Sequence, residues 1–439
     1  MVPTLASADS YYIKSYLRNV MPWSLLFIQY AVFLTRMRNS EKKIMQVLGS
    51  RRFLLIFALI LTFSCGYYIT THFGSFAVKE RGYIFEEEYR VPPIESIKFP
   101  SNKNNLIVIF LESVENTFND PRYFDEPLMP NLDKIQKANT AFYGRRQVYG
   151  TGWTIAGITA SLFGMPLIIP FEDNSYANFA DNFLPKATGI LEVLEHHGYN
   201  ISFFQGTGVE FGGLKMLIDS HSSHCNINDY IHYAKQGYNV EEHRSVWGFS
   251  DEFMYARVKE ELSNYNSDSP FCIFISTIDT HSPEGHFTPC VARKYNDFRD
   301  VWRSSDYLTS GFLNWLKYQK FYKRTTIVLI GDHLMMRSDF TDRYLEKNCK
   351  GREALTAIIN SRISTEQSQR HFATFDIAPT ILESVGANIP ENKFGLGVSL
   401  LSNKETLLES IGEEKLNVEL AKSSRLYNTF FGKQWWLSN

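Results

Sequence analysis

The chain has 439 residues, 44% of them hydrophobic and 15% aromatic, which supports a large packed core and excludes a disordered polypeptide. Its 45 basic residues nearly balance 47 acidic ones, and the net charge of -2 gives no global basis for binding nucleic acid.

Two uncharged stretches come first along the chain. Residues 19–35, NVMPWSLLFIQYAVFLT, are borderline in length, so a spanning helix and a buried or interfacial helix both stay open there. Residues 53–78, FLLIFALILTFSCGYYITTHFGSFAV, are long enough to cross a bilayer, with the helix expected at about 53–75. The loop between them, residues 36–52, sets Arg36, Arg38, Lys42, Lys43, Arg51 and Arg52 against the single acid Glu41. The positive-inside rule places this loop in the cytoplasm and sends everything after about residue 79 to the far side of the membrane. The apolar run is too long and too far from the start for a cleavable signal peptide. Residues 1–78 are therefore expected to be a membrane anchor, 79–104 a linker, and 105–439 an extracytoplasmic domain. Outside the anchor lie Cys225, Cys272, Cys290 and Cys349, which allow three pairings; none has the spacing of a metal-binding pair.

From residue 105 the pattern alternates. NLIVIFL reads as a strand buried on both faces, ILEVLEHHG as a helix before the strand NISFFQ, and DEFMYARVKEELSNY as a helix before FCIFIST. SDYLTSGFLNWLKYQKFY reads as a helix before the strand TTIVLIG, and DIAPTILESVG as a late helix ended by glycine. Strand and helix in this repeated order predict an α/β fold with a mostly parallel sheet covered on both faces. Functional groups in such sheets gather beyond the carboxyl ends of the strands. Glu112, Asp279 with His281, and Asp332 with His333 stand at three of those ends. Buried ionisable groups there are costly unless something charged meets them, and a divalent cation would satisfy Glu112, Asp332 and His333 together, with a hydroxyl as a further ligand.

The stretch YGTGWTIAG, residues 149–157, opens the apolar run of another helix. Two readings are open for Thr154: a cap whose oxygen accepts a first-turn N–H, or a nucleophile at a helix N-terminus suited to phosphate.

On IVIFLES, MPNLDKI, GTGWTIAGITAS with GMPL, FFQGTGVEFGGLK, WGFSDEF, DTHSP, the SDYL helix, IGDH and DIAPTIL, residues 104–430 resemble the alkaline phosphatase and sulfatase superfamily. Within it they resemble the membrane-anchored phosphoglycerol transferases; lipoteichoic acid synthases and lipid A phosphoethanolamine transferases are more distant. The resemblance implies a sulfatase-like sheet flanked by helices. It implies Glu112, Asp332 and His333 as ligands of a divalent cation (Mn, Mg or Zn), and Thr154 as a nucleophile that also touches the metal. His281 is implied as a histidine that binds phosphate or passes a proton, and Lys215 as a basic residue near the donor phosphate, a place that Leu214 takes if the loop is aligned one residue differently. The implied activity moves phosphoglycerol from phosphatidylglycerol, through a phosphothreonine-type intermediate, to a cell-envelope glycan such as a glucan, lipopolysaccharide or capsule, releasing diacylglycerol. The implied place is the bacterial inner membrane, with the catalytic domain on the periplasmic or outer side. Transfer of phosphoethanolamine to lipopolysaccharide, hydrolysis with water as acceptor, and a non-catalytic lipid-binding module are the alternatives. The chain departs from this pattern in being shorter than the glucan-modifying transferases. It also lacks the C-x-P-x-R cysteine of sulfatases and the second zinc-ligand set of soluble alkaline phosphatases.

Overall fold

The computed structural model describes residues 80–432 apart from 170–172, 175, 179, 346–350 and 366–367. The expected anchor, with its helices at about 19–35 and 53–75 and its basic loop at 36–52, lies outside the described residues. No helix among those described is long and apolar enough to cross a membrane.

Strand β1 (Asn105–Leu111) is buried from Leu106 onward. Successive side chains of a strand point to opposite faces, so an unbroken apolar run needs cover on both. Leu106, Val108 and Phe110 join one hydrophobic cluster, and Ile107, Ile109 and Leu111 join another. The short strands β2 (Thr140–Ala141) and β3 (Tyr143–Arg146) follow, then β4 (Asn200–Gln205), β5 (Asn226–Asn228) and β6 (Phe271–Ser276), and then β7 (Thr325–Gly331), β8 (Thr356–Ile359) and β9 (Gln369–Ala373). The main sheet runs β2-β8-β7-β1-β6-β4-β5. Its centre is parallel, with β1 between β6 and β7 and β4 between β6 and β5, as the alternation predicts. The far edge departs from that rule: β8 is antiparallel to β7, and β2 to β8. β3 and β9 pair in a separate two-stranded ribbon.

One face of the sheet is covered by the helices Thr154–Phe163, Ile190–His196, Leu214–His221 and Ile377–Ser384. The other is covered by Asp251–Asn264 and the 20-residue Phe298–Lys317. The helix Thr154–Phe163 is buried at every position, and its end is set by Gly164, whose φ of 64° suits a residue without Cβ.

Of the linker expected at 79–104, residues 81–104 pack into the folded unit. From Arg81 onward the chain belongs to the same unit as the sheet. Ile84 and Phe85 of the helix Ile84–Glu88 are buried, with the Phe85 ring 4.6 Å from that of Tyr427. Arg90 exchanges backbone hydrogen bonds with Gly395 at 2.8 and 2.7 Å, and Lys98 with Asn388 at 3.1 and 2.7 Å. Three buried apolar residues, Ile84, Phe85 and Ile97, scattered among charges, make no periodic pattern, and the Phe85 ring meets Tyr427, more than 300 residues on. Among the described residues Cys225, Cys272 and Cys290 form no disulfide with one another, and Cys349 lies outside those residues.

Candidate active site

The register of the three central strands brings their carboxyl ends level: Leu111 lies opposite Gly331, and Phe110 opposite Ser276. Glu112, Asp332 with His333, and the 277–281 loop therefore emerge side by side. The Glu112 N–H donates to Thr277 Oγ1 at 2.9 Å, and Ser113 Oγ donates to Glu112 Oε1 at 2.7 Å. Asp332 Oδ1 accepts the backbone N–H groups of Ser113 and His333, each at 2.8 Å. His333 Nδ1–H donates to the Leu334 carbonyl at 2.8 Å, which turns Nε2 inward, 3.5 Å from both Glu112 Oε1 and Asp332 Oδ2.

One donor atom from each of these three residues falls within 4.8 Å of the others, and all three residues are buried. Burial first and Glu112 second push the Asp332 carboxyl up to about 7. Burial pulls the His333 imidazole down, but Asp332 and Glu112 outweigh it and leave its pKa raised. Neither carboxylate forms an ion pair with lysine or arginine among the described residues. Two carboxylates and an imidazole nitrogen converging without such a partner match the donor set of a small divalent cation.

Thr154 is brought to this centre and does not cap its helix. The N-cap position belongs to Trp153 and makes no side-chain hydrogen bond; Thr154 is the first helical residue. Its hydroxyl donates to Glu112 Oε2 at 3.3 Å and lies 3.5 Å from His333 Nε2. The neighbouring free amide, Ile155 N–H, is taken at 3.2 Å by Asn174 Oδ1. Thr151 faces elsewhere, donating to the Val148 carbonyl at 2.7 Å. Gly157 lets the helix close on the strand end that carries Asp332: a Cβ there would lie 2.3 Å from the Asp332 carbonyl oxygen.

His281 is also placed nearby. Its buried ring packs on Trp247 with centroids 4.1 Å apart, and Nδ1–H donates to the Ser282 carbonyl at 2.6 Å. Burial, followed by the charge of His333, lowers its pKa to about 4, so at neutral pH the ring is neutral with Nε2 free to take a proton. Asp279, at the same strand end, is buried apart from the carboxylate–imidazole cluster. The side chain of Asp251 accepts the Ile278 and Asp279 N–H groups at 2.8 and 3.3 Å, and burial with this neighbour pushes the Asp279 carboxyl well up. Lys215 is not drawn into the cluster; it sits on the first turn of the helix Leu214–His221, and its ammonium pairs with Asp219.

Sequence reasoning missed the side chains that fix the loop carrying Asp332 and His333. Gln147 Oε1 accepts Leu334 N–H at 2.8 Å. Glu115 Oε1 accepts Met335 N–H at 2.8 Å, while its carboxylate pairs with the buried Arg352, which also donates to the Met335 carbonyl at 2.9 Å. Arg145 donates to the carbonyls of Gly331 and Asp332. The available signal was weak: Glu115 three residues past Glu112, and GRRQ just ahead of the threonine turn.

The sulfatase family profile matches residues 104–387, which include all of these groups. Phosphoglycerol transferase I of Escherichia coli (strain 55989 / EAEC) is 31% identical over 348 residues, covering 76% of this chain and 43% of that protein. The chain thus spans less than half the length of the curated relatives it matches. A protein in the alkaline phosphatase superfamily from Vibrio parahaemolyticus aligns with a TM-score of 0.51 at 19% identity, over 72% of this chain and 74% of that one. The lipoteichoic acid synthase LtaP from Listeria monocytogenes aligns with a TM-score of 0.52 at 15% identity, over 70% of this chain and 80% of that one. At those identities the two structures speak for a shared fold, while the sequence profile spans both strand ends that supply the carboxylate–imidazole cluster and the helix that supplies its hydroxyl. The chain belongs to the sulfatase family.

Proposed function

We propose that this protein is a metal-dependent phosphotransferase that moves phosphoglycerol from phosphatidylglycerol to a cell-envelope glycan. The observation that carries the reading is the Thr154 hydroxyl, turned away from its own helix and onto Glu112 and His333. A divalent cation would be held by Glu112, Asp332 and His333, and when bound it supplies Lewis acidity that favours the ionised hydroxyl and offsets phosphate charge.

In the first half-reaction Thr154 Oγ gives up its proton and bonds to phosphorus, the bond to the diacylglycerol oxygen breaks, and that oxygen leaves with a proton. In the second, a glycan hydroxyl bonds to phosphorus and Thr154 Oγ departs, regaining its proton. Neutral His281, with Nε2 unprotonated, is the group suited to carry a proton in one half. Lys215 would leave Asp219 to meet the donor phosphate; an exposed pair of this kind is worth only about 0–1 kcal/mol, so little opposes the move. The named relative, a phosphoglycerol transferase, supports glycerol over ethanolamine as the headgroup. The uncharged residues 53–78 support a membrane anchor beside a lipid donor, with the domain outside the cytoplasm.

The test is mass spectrometry of the protein after incubation with phosphatidylglycerol and, separately, phosphatidylethanolamine. A phosphoglycerol adduct on the peptide containing Thr154 is expected from the first lipid alone. Thr154→Ala should fold and bind metal yet form no adduct, and Thr154→Ser should retain part of the activity. Normal turnover by Thr154→Ala rejects the nucleophile, and release of free glycerol phosphate with no transfer to any glycan favours hydrolysis.

A further inference from the structure

Arg145 lies on β3 just ahead of the threonine turn, with its residue 2% exposed. A guanidinium taken out of water costs several kcal/mol unless an anion meets it, and buried arginines are accordingly paired as a rule. Arg370 on β9, beside β3, follows the rule through Glu409. Arg145 does not. Its Nη1 donates to the Gly331 carbonyl at 2.6 Å and, at 3.5 Å, to Thr356 Oγ1; its Nη2 donates to the Asp332 carbonyl at 3.2 Å and to Thr374 Oγ1 at 3.0 Å. All four acceptors are neutral.

Two features show what the arrangement does. The carbonyls taken are those of the last residue of β7 and of the cluster residue that follows it, so one rigid, planar group spans the point where the strand ends and the ligand loop begins. The anionic charge that acts on the guanidinium is that of Asp332. The cation therefore stands behind the carboxylate cluster, bonded to its backbone and not to its oxygens, which stay directed inward. A lysine could offer charge, but its single nitrogen cannot span both carbonyls and Thr374 with the same fixed geometry.

We propose that Arg145 is a positioning residue of the metal centre, holding the Gly331–Asp332 backbone so that Asp332 and His333 face Glu112 before any ion arrives. The inference rests on the reading of Glu112, Asp332 and His333 as the cation site, and its test separates the two. The probe is Co2+ alone, titrated into the metal-stripped full chain in detergent, with visible absorption reporting both affinity and coordination.

Arg145→Met should weaken Co2+ binding by about tenfold or more, the usual scale for groups that orient metal ligands, and should change the absorption spectrum. Arg145→Lys should lose less than Arg145→Met. Arg370→Met removes a different buried guanidinium, which does not touch the 331–335 loop; it should lower thermal stability yet leave Co2+ affinity and spectrum at wild-type values. Wild-type affinity and spectrum in Arg145→Met overturn the inference, as does an equal loss in Arg370→Met, which would mark the effect as general destabilisation. Should Arg145→Met fail to fold, Arg145→Lys decides, and unchanged affinity there overturns it. Glu112→Gln tests the underlying centre: retained Co2+ in that variant removes the cation site itself, whereas loss there with full binding in both Arg145 variants leaves the centre standing and rejects only the role of Arg145.

Discussion

Gly157→Ala sets two physical effects against each other, and the structure decides between them. Gly157 lies inside a ten-residue helix and needs no positive φ, so helix propensity alone predicts that alanine stabilises by about 1 kcal/mol. The added Cβ, however, would meet the Asp332 carbonyl oxygen at 2.3 Å and its carbonyl carbon at 2.9 Å. Non-bonded atoms settle at about 3.5 Å, so roughly 1 Å of movement is required, and both partners are backbone that no rotamer change can clear. Overpacking of this kind costs about 1–3 kcal/mol, which outweighs the propensity gain. The displacement falls on Asp332 on one side and on Thr154, three residues back, on the other; a 1 Å error between reacting groups costs on the order of 100-fold in rate. Gly311 is the control, an exposed glycine in the helix Phe298–Lys317 with nothing within 4 Å of the added atom. Gly311→Ala should raise stability by about 0.5–1 kcal/mol and leave transfer untouched. Urea denaturation, metal titration and phosphoglycerol transfer are measured on both variants. A Gly157→Ala protein as stable and as active as Gly311→Ala would refute the close approach.

The remaining expectations follow from charge. Without metal, the Asp332 carboxyl titrates near 7 in the fold but near 3.9 in the unfolded chain, so between those values the native state holds the extra proton and its stability falls as pH rises. Across the same rise cation affinity should strengthen, since the proposed ligand is the carboxylate; thermal midpoints of metal-stripped wild type and Asp332→Asn from pH 4 to 8 check the linkage, and identical slopes would refute it. Glu115→Ala removes the carboxylate that Arg352 and the Met335 N–H share in the interior and should cost about 3–5 kcal/mol in urea denaturation; a loss below about 1 kcal/mol would show that the pair does not hold the ligand loop.

Much of this molecule is legible in its sequence because its strands are apolar without interruption. A run such as NLIVIFL can be satisfied only by cover on both faces, which dictates a parallel sheet with helices on each side, and the first polar residue after such a run must lie at a strand end. Glu112 and the Asp332–His333 pair stand out in that way. The sequence alone did not place Ile84, Phe85 and Ile97 in the core, because their partners are remote in the chain and three scattered apolar residues carry no period. Nor does it say where the Thr154 hydroxyl points, since the cap and nucleophile readings both set it at a helix start; only the tertiary structure shows the helix beginning at Thr154 itself, with its Oγ turned across the turn to Glu112. The same holds for Arg145, Gln147 and Glu115. Each acts on the backbone of a loop some 185 to 220 residues away, through hydrogen bonds whose acceptors and donors every residue possesses. Local pattern determines which residues are buried and where strands stop; which backbone atoms then meet a buried side chain depends on how strands distant in sequence lie beside one another, and that is decided only when the sheet closes.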